Sequence, residues 1–314
     1  MTGDRALVTG ATGFIGSHLV RRLVREGVDV HILCREQSNF WRIEDVLPQV
    51  TRHIADLRNV ASLDRAVAAA RPDHVYHLAA ATVVAGSTDA AHDLIDINVM
   101  GTVNLIAACE AIEYCGLVTT GDSFEYTPSM ERLAEADACH PASLHGISKF
   151  AATLHAEAVG RGQGRPIITL RLFSTYGPGD NPRRLVPKVI ADALAGYPLA
   201  LSRPDIVRDW VYIDDVVDLY LEAASKAGRY AGGVFNAGSG ERGTLADVVE
   251  FILKLTGSEV AARWGVFEAP AHDAWPWVAD PAHTFAHFEW RPRISLEEGL
   301  SRTIAAIKVE DPHG

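Results

Sequence analysis

Thr9-Gly10-Ala11-Thr12-Gly13-Phe14-Ile15-Gly16 joins a short apolar run at residues 6–8 to a helical pattern over residues 16–26. Glycines at these places allow a tight turn, let the backbone approach a pyrophosphate, and let the helix pack against the preceding strand. The first turn of such a helix offers N–H groups to phosphate. The stretch therefore predicts a strand–turn–helix unit that binds a dinucleotide, with contacts from Gly10, Thr12, Gly13, Phe14, Ile15 and Gly16.

Strands and helices continue to alternate along the first half of the chain. Helical patterns, one of them over residues 95–111, separate apolar runs that we interpret as strands, at residues 28–33, 50–54, 74–78, 116–120 and 167–172. This alternation is typical of a parallel sheet with helices on both faces. We therefore expect an α/β fold: a Rossmann-type doubly wound parallel sheet, with a smaller, discontinuous C-terminal α/β domain that binds the substrate.

The pattern changes after residue 172, where a turn-rich segment over residues 176–182 follows the last strand. Later pieces, around residues 214–224 and 234–236, have the character of the first domain and can rejoin it. The expected division gives residues 1–172 and about 211–238 to the dinucleotide-binding domain. Residues 173–210 and 239–314 then form the substrate-binding domain.

Composition limits the partners of the chain. The 314 residues are 48% hydrophobic and carry a formal net charge of −11, which argues against a nucleic-acid-binding surface. No apolar run of about 20 residues is present to span a membrane, and no signal-peptide pattern follows Met1. Four cysteines without a C-x-x-C pair indicate free thiols in a reducing compartment, so we expect the cytoplasm.

A second run carries a resemblance to a known family. Pro141-Ala142-Ser143-Leu144-His145-Gly146-Ile147-Ser148-Lys149 resembles the P-x-S-x-Y-x-x-S-K stretch of extended short-chain dehydrogenases/reductases, which work mainly on nucleotide sugars. The G-x-x-G-x-x-G spacing from Gly10 matches the same family, and the similarity continues to residues 296–300. The resemblance implies an NAD(P)-dependent enzyme for a nucleotide-activated sugar. It also implies a homodimer that pairs through helices near residues 95–111 and 145–160.

His145 stands where the family has its tyrosine. In the family that tyrosine transfers a proton while the nicotinamide transfers hydride, and the lysine matched by Lys149 holds the cofactor ribose and lowers the pKa of the tyrosine. An imidazole titrates near neutrality and can serve as a general acid or base. His145 is therefore either the catalytic acid/base, working with Lys149, or a replacement that only fills the space of the tyrosine.

The family's third catalytic position is a Ser or Thr, and here the corresponding run is Thr120-Gly121-Asp122-Ser123-Phe124-Glu125-Tyr126. An alignment anchored on Tyr126 places Asp122 in that position, Ser123 beside it, and Phe124 where dehydratases carry glutamate. An alignment shifted by one residue makes Asp122 the dehydratase aspartate instead. Asp122 either orients His145 as an acid/base partner or caps a turn. Tyr126 is a further candidate for the missing phenol.

The end of the second strand bears on the choice of nicotinamide cofactor. An NAD-binding carboxylate is expected there, and the sequence has Cys34 followed by Arg35. A guanidinium can pair with a 2′-phosphate, which favours NADP(H) over NAD(H). By resemblance, further cofactor contacts are Asp56, Leu57, Leu78, Ala79 and Ala80, and Asn98 matches a structural asparagine.

The expected substrate residues follow from the second half of the resemblance. The run from Arg208 to Asp215 resembles R-D-(F/W)-V-Y-V-D-D, in which the arginine binds the substrate diphosphate. The other expected substrate contacts are Ser174, in the place of a family asparagine, and Leu185, Val186 and Lys188, which match a segment lining the nucleotide base. A second family arginine is missing, since Ala269 and Pro270 stand shortly before Asp273.

These observations favour reduction of a keto-sugar by NADP(H), with His145 as the proton donor. The alternatives are a nucleotide-sugar epimerase or dehydratase with tightly bound NAD(P), and a non-catalytic scaffold or sensor that binds the cofactor. No metal site is expected, because the C-terminal histidines, among them His272, His283 and His287, lack a catalytic zinc spacing.

Overall fold

The computed structural model describes residues 4–82 and 88–310. The chain divides into two compact units. The first unit takes Met1–Thr127, Asp137–Leu172 and Val217–Phe235. The second takes Pro128–Ala136, Phe173–Val216 and Asn236–Gly314.

The secondary structure alternates strongly in the first half of the chain. The strands are β1 (Arg5–Thr9), β2 (Asp29–Cys34), β3 (Val50–Ile54), β4 (His74–His77), β5 (Gly116–Asp122), β6 (Ile167–Leu172), β7 (Ser174–Tyr176), β8 (Leu199–Ala200), β9 (Val207–Arg208), β10 (Trp210–Tyr212), β11 (Gly233–Ala237), β12 (Gly243–Thr244) and β13 (Ala262–Arg263). The α-helices are α1 (Phe14–Arg25), α2 (Val60–Ala70), α3 (Thr88–Asp93), α4 (Gly101–Cys109), α5 (Leu144–Gln163), α6 (Leu185–Leu194), α7 (Ile213–Lys226), α8 (Leu245–Thr256), α9 (Ala282–His287) and α10 (Leu296–Glu310). Leu94–Met100 is π-helical, and short 3₁₀ turns lie at Trp41–Ile43, Leu47–Gln49, Ser123–Glu125 and Ala271–Ala274.

A seven-stranded sheet, in the order β11-β6-β5-β4-β1-β2-β3, forms the centre of the described part of the first unit. The pairs β1–β2, β1–β4, β2–β3, β4–β5 and β5–β6 are all parallel. Both faces of β1 are covered, since Leu7 and Val8 are fully buried, as expected of a parallel sheet between helices. The predicted Rossmann-type doubly wound fold is confirmed.

The strand order reverses between β1 and β4, and that reversal locates the ligand crevice. In open α/β sheets, ligands bind outside the carboxyl ends of the strands at such a switch point. Thr9 and His77 are paired at these two carboxyl ends. The glycine-rich turn after β1 therefore opens at the place where a ligand is expected.

The helix predicted over residues 95–111 is interrupted, because its first part is the π-helical segment Leu94–Met100. Asn98 lies in this segment, and its side chain bonds both backbone groups of Ala81, at 2.7 and 3.1 Å. Its amide also donates to the Ser148 hydroxyl at 2.9 Å. The structural role expected of Asn98 is confirmed, since it joins the chain after β4 to α5.

Short strand pairs and three longer helices make up most of the second unit. Asp209 is fully buried and accepts hydrogen bonds from the backbone of Ser239, Gly240 and Ala279. Asp215 accepts two more from the backbone at residues 293 and 294. These contacts make both carboxylates structural. Over the described residues, none of the helices is long and apolar enough to cross a membrane.

Candidate active site

A cavity of about 580 Å³ lies at the carboxyl edge of the sheet in the first unit. This volume falls within the usual range for pockets that hold small molecules and cofactors. Its lining contains nine of the predicted cofactor residues: Gly10, Thr12, Gly13, Arg35, Asp56, Leu57, Leu78, Ala79 and Ala80. Phe14, Ile15, Gly16 and Lys149 are not part of this lining. Sequence reasoning missed Ser38, Thr82 and Ile97, which also line it.

The glycines of the turn after β1 allow the close approaches expected of a dinucleotide site. Gly10 has φ +69°, and a Cβ there would lie 2.6 Å from the backbone nitrogen of Ala79. A Cβ on Gly16 would run into the carbonyl oxygen of Gly10. Gly13 is the N-cap of α1 and has no side chain to occupy the first N–H groups of the helix. These features fit a pyrophosphate at the start of α1.

A buried hydrogen-bond chain holds the carboxyl ends of β1 and β4 together. Thr102 donates its hydroxyl to the carbonyl of Asn98, so it accepts from His77 Nε2 at 2.9 Å. The other ring nitrogen, Nδ1, lies 2.7 Å from the Thr9 hydroxyl. Burial, together with the charge of Lys149, lowers the pKa of His77 to about 3. The imidazole is therefore neutral near pH 7, with its proton on Nε2.

Charged groups line the cavity where the second strand ends. The backbone nitrogen of Arg35 donates to the Ser38 hydroxyl at 2.9 Å, which forms a tight turn after β2. Hydrogen bonds from Arg58, with a smaller effect of Arg35, lower the pKa of Asp56 to about 2. Asp56 is therefore ionised and pairs with Arg58 at 2.7 Å, while Arg35 is exposed at this wall of the cavity.

His145 and Asp122 meet in the first unit. His145 Nε2 lies 3.3 Å from Asp122 Oδ2, and the other ring nitrogen, Nδ1, is buried with no hydrogen-bond partner among the described residues. Asp122 ends β5, and its second oxygen, Oδ1, accepts from the backbone nitrogen of Phe124 at 2.9 Å. Asp122 thus caps the turn that follows and also faces the imidazole, so the two roles considered for it are compatible.

A glycine makes this contact possible. α5 begins after Ser143, whose hydroxyl accepts from the backbone nitrogen of Gly146 at 3.0 Å. A Cβ on Gly146 would run into the carbonyl oxygen of Phe124. The first turn of α5 therefore lies directly on the turn after β5, and His145 reaches Asp122.

Lys149 lies one helical turn after His145 on the same face of α5 and is only 7% exposed. Burial lowers the pKa of Lys149, and the charges of Glu125 and Asp122 oppose that effect. Ser123 lies beside Asp122 and is 6% exposed. Tyr126 is fully buried beneath the guanidinium of Arg171, so its hydroxyl is not available as the substitute phenol.

Glu125 was not predicted to have any role. It is fully buried and accepts hydrogen bonds from the backbone nitrogen of Asp122, the Thr153 hydroxyl and Arg171 Nε, at 2.9, 2.9 and 2.8 Å. The sequence carried one signal for a partner of Glu125. His145, Lys149 and Thr153 are spaced by four residues and therefore share one face of a helix, and Thr153 on that face is the residue that donates to Glu125.

The predicted substrate residues lie in the second unit. Arg208 donates to the Asp273 carboxylate and to the carbonyl of Val207. Burial lowers the pKa of Arg208, and Asp273 opposes that effect. The guanidinium thus already has a carboxylate partner, where the resemblance expects it to bind a diphosphate.

The other predicted substrate residues have mixed surroundings. Leu185 and Val186 open α6, where Val186 is buried, and Lys188 pairs with Asp192 at 2.7 Å on its surface. Ser174 donates its backbone nitrogen to the carbonyl of Asp209. Within the described ranges, no group of three or more His, Cys, Asp or Glu side chains is arranged to hold a metal ion.

Comparisons with known proteins agree with this geometry. The family described as NAD dependent epimerase/dehydratase matches residues 6–238. A dTDP-glucose 4,6-dehydratase of Neisseria meningitidis serogroup B is 28% identical, over 96% of this chain and 92% of its own length.

Two solved structures have the same fold over nearly the whole chain. The UDP-glucose 4-epimerase of Thermotoga maritima, solved with UDP-glucose, has 26% identity and a TM-score of 0.88, and covers 98% of this chain and 99% of its own. That of Thermus thermophilus, solved with NAD, has 27% identity and a TM-score of 0.83, and covers 97% and 99%. With the glycine turn, the cavity and the family match together, the chain belongs to the NAD-dependent epimerase/dehydratase family, within the extended short-chain dehydrogenases/reductases.

Proposed function

We propose that the protein interconverts nucleotide-activated hexoses without net consumption of its cofactor, and that His145 and Asp122 are its acid/base pair. The contact of His145 Nε2 with Asp122 Oδ2, one helical turn from Lys149, carries this proposal. The named relatives act on dTDP-glucose or UDP-glucose, which supports a nucleotide-sugar substrate. This proposal replaces keto-sugar reduction, which the sequence favoured, as the leading function.

Each residue of the site has a separate role in the proposed reaction. When bound in the cavity, a nicotinamide dinucleotide supplies hydride transfer. The transferred proton is shared between His145 Nε2 and Asp122 Oδ2, so the two side chains act as one acid/base unit, and the carboxylate stabilises the imidazolium. The charge of Lys149 would favour a developing alkoxide on the sugar, and by the family resemblance its ammonium would hold the cofactor ribose.

Epimerisation is favoured over dehydration by the surroundings of the carboxylates. A 4,6-dehydratase needs an additional acid for the departing C6 hydroxyl. Glu125 is fully buried against Arg171, and Asp122 is held as a cap and a partner of His145. Neither is placed to serve as that acid.

The reaction can be identified by its products. We expect UDP-glucose or dTDP-glucose, incubated with the protein and either NAD or NADP, to give the 4-epimer with no net reduced cofactor. A 4-keto-6-deoxy product would identify a dehydratase, and stoichiometric loss of NADPH with a keto-sugar would identify a reductase. Dinucleotide binding with no turnover of any of these sugars would leave only the scaffold interpretation.

We also propose that the cavity accepts NADP(H) in preference to NAD(H). Arg35 is exposed at the cavity wall, and Arg42 lies close by, since its guanidinium donates to the carbonyl of Thr12 at 3.3 Å. Two cations at this wall suit a 2′-phosphate. A strong NADP(H) preference would favour reduction of a keto-sugar as the second candidate function.

The cofactor preference can be measured directly. We expect Arg35→Ala to weaken NADP(H) binding about 10- to 100-fold, the worth of a charge-assisted hydrogen bond, and to leave NAD(H) binding within about twofold. Dissociation constants for both dinucleotides, from fluorescence or calorimetry, decide it. Equal losses for both cofactors would contradict the role of Arg35.

We propose a homodimer formed through α5. Leu144, Ile147 and Leu154 are 57%, 44% and 48% exposed and share the helix face opposite His145. Ile147→Lys with Leu154→Lys is expected to yield a monomer by light scattering. Val309→Lys, at a more exposed apolar site on α10 (79%), serves as the control and should leave the dimer intact.

The cytoplasm remains our proposed compartment. All four cysteines are free, and Cys34 and Cys109 are buried as thiols. Free thiols persist in a reducing compartment. Cell fractionation tests this, and recovery of the protein outside the cytoplasm would refute it.

A further inference from the structure

One face of α5 is matched, residue by residue, to the turn that follows β5. His145, Lys149 and Thr153 are spaced by four residues and lie along this face. His145 contacts Asp122 at one end of the turn, and Thr153 donates to Glu125 at the other end. Lys149, between them, interacts with both carboxylates.

Glu125 connects the elements beneath the pair formed by Asp122 and His145. Its Oε1 accepts from the backbone nitrogen of Asp122 in β5 and from Thr153 in α5. Its Oε2 accepts from Arg171 in β6, at 2.8 Å, and both side chains of that pair are buried. A Cβ on Gly121 would lie 2.6 Å from Oε1, so the neighbouring glycine makes room for this carboxylate.

Hydrogen bonds at its backbone and at one carboxylate oxygen restrict the position of the Asp122 side chain. Glu125 holds its backbone nitrogen, and the backbone nitrogen of Phe124 holds Oδ1, in a reciprocal capping box. Only Oδ2 is left to face His145. The position of Oδ2 therefore depends on the bonds that fix the turn from below.

We propose that Glu125 is a positioning residue for the acid/base pair: it fixes Asp122 so that Oδ2 faces His145 Nε2. The inference rests on the proposed roles of Asp122 and His145. The hydrogen bonds of Glu125 go to Asp122, Thr153 and Arg171 and not to His145, and Glu125 is not among the residues that line the cavity, so its effect passes through Asp122. A purely structural ion pair would change stability and leave the ring signals of His145 unchanged.

The test uses a double variant of the full chain, because Glu125→Gln alone would leave Arg171 buried beside an amide donor. Glu125→Leu with Arg171→Met removes both charges and keeps an apolar filling, an exchange that buried ion pairs often tolerate. Asp122→Asn gives the reference for a lost carboxylate. Thr169→Val is the matched control, since it removes a buried hydrogen bond between β5 and β6, at 2.7 Å, with no contact to Asp122.

The primary measurement is the ¹⁵N NMR signal of His145 Nε2 in each folded protein, which needs no turnover. In the double variant we expect this nitrogen to lose the signature of its contact with a carboxylate, as in Asp122→Asn, because Asp122 Oδ2 no longer faces it. Thr169→Val should give the signal of the unmodified protein. A double variant whose His145 Nε2 signal superimposes on that of the unmodified protein would overturn the proposal.

Turnover provides the second measurement. We expect kcat to fall about 100-fold in the double variant, as for a catalytic group displaced by about 1 Å, with KM within about threefold. An unmodified protein that turns over no sugar would refute the proposed function, and the NMR comparison would still decide the role of Glu125. If the double variant does not fold, Thr153→Val removes one donor to Glu125, and its His145 Nε2 signal decides by the same criterion.

Discussion

His145 has the surroundings of a working imidazole. One ring nitrogen faces a carboxylate that is itself fixed by a backbone hydrogen bond, and the other is enclosed by the protein. Lys149, one turn further on, is kept close to two carboxylates. The oriented carboxylate of Asp122 is the observation that favours the proposed acid/base role of His145 over a residue that only fills space.

His145→Phe tests that interpretation at the scale of one residue. We expect kcat for the sugar reaction to fall by about 10²- to 10⁴-fold, the usual contribution of a general acid or base, with dinucleotide affinity unchanged. His140→Phe, at a nearby exposed histidine, should leave both quantities as they are. Unaltered kcat in His145→Phe would contradict the acid/base role.

Among the secondary-structure elements, the turn between β1 and α1 depends most on its glycines. Gly10 combines a positive φ with backbone atoms at 2.6 Å from the position of a Cβ. Gly27 has a similar φ, +75°, with open space around it. Substitutions at the two positions therefore separate the destabilisation caused by a left-handed backbone conformation from the destabilisation caused by a steric clash with the backbone of Ala79.

Gly10→Ala and Gly27→Ala make that comparison. Gly27→Ala should cost about 1–2 kcal/mol of unfolding free energy, from the left-handed conformation alone. Gly10→Ala should cost clearly more, because the backbone of Ala79 must move, and it should weaken dinucleotide binding. Urea unfolding and cofactor titration measure both effects, and equal losses in the two variants would show that the close approach is unimportant.

The elements that sequence predicted best are those with local signals. β1, α1 and the alternation that builds the sheet follow from apolar runs and from the glycines of residues 10–16. The π-helical segment around Asn98 was not predicted, because it depends on contacts with Ala81 and Ser148, far away in the sequence. Glu125 was missed for the same reason: the four-residue spacing on α5 shows that His145, Lys149 and Thr153 share a face, but the burial of Glu125 against Arg171 is a contact between residues far apart in the sequence.

For the whole molecule, the fold and the family were predictable, and the reaction was less so. The sequence favoured a reductase from the cation Arg35 and from the missing dehydratase glutamate, in whose place Phe124 stands. The named relatives are dehydratases and epimerases, and those similarities extend over nearly the whole chain. Reaction type depends on a few atoms around Asp122 and His145, whose arrangement comes from tertiary contacts that a linear pattern does not contain.

The stability of the molecule should depend on pH through His77. Burial lowers its pKa from 6.5 in the unfolded chain to about 3 in the folded protein. Between these values the unfolded chain binds the proton and the folded protein does not, so stability is lost as pH falls below 6.5. At pH 5 the expected loss is about 2 kcal/mol, from 1.36 kcal/mol for each pKa unit.

His77→Gln isolates this contribution from that of the other histidines. The variant should be less stable than the unmodified protein at pH 7, since the bonds to Thr9 and Thr102 are disturbed. Its free energy of unfolding should then fall by about 2 kcal/mol less between pH 7.5 and pH 5. Urea unfolding measures this difference. If the free energy of unfolding falls equally in both proteins between pH 7.5 and pH 5, His77 is not the group that causes the pH dependence.

The contact between His145 and Asp122 also constrains how this site can change over evolution. His145→Tyr alone would set a phenol against a carboxylate, and that negative charge disfavours the phenolate that a tyrosine base requires. Asp122→Ser alone would leave the imidazolium without its counter-ion. If the proposed pairing is right, the two positions are epistatic: each single exchange, His145→Tyr or Asp122→Ser, should weaken the site, and the paired exchange should restore a matched one.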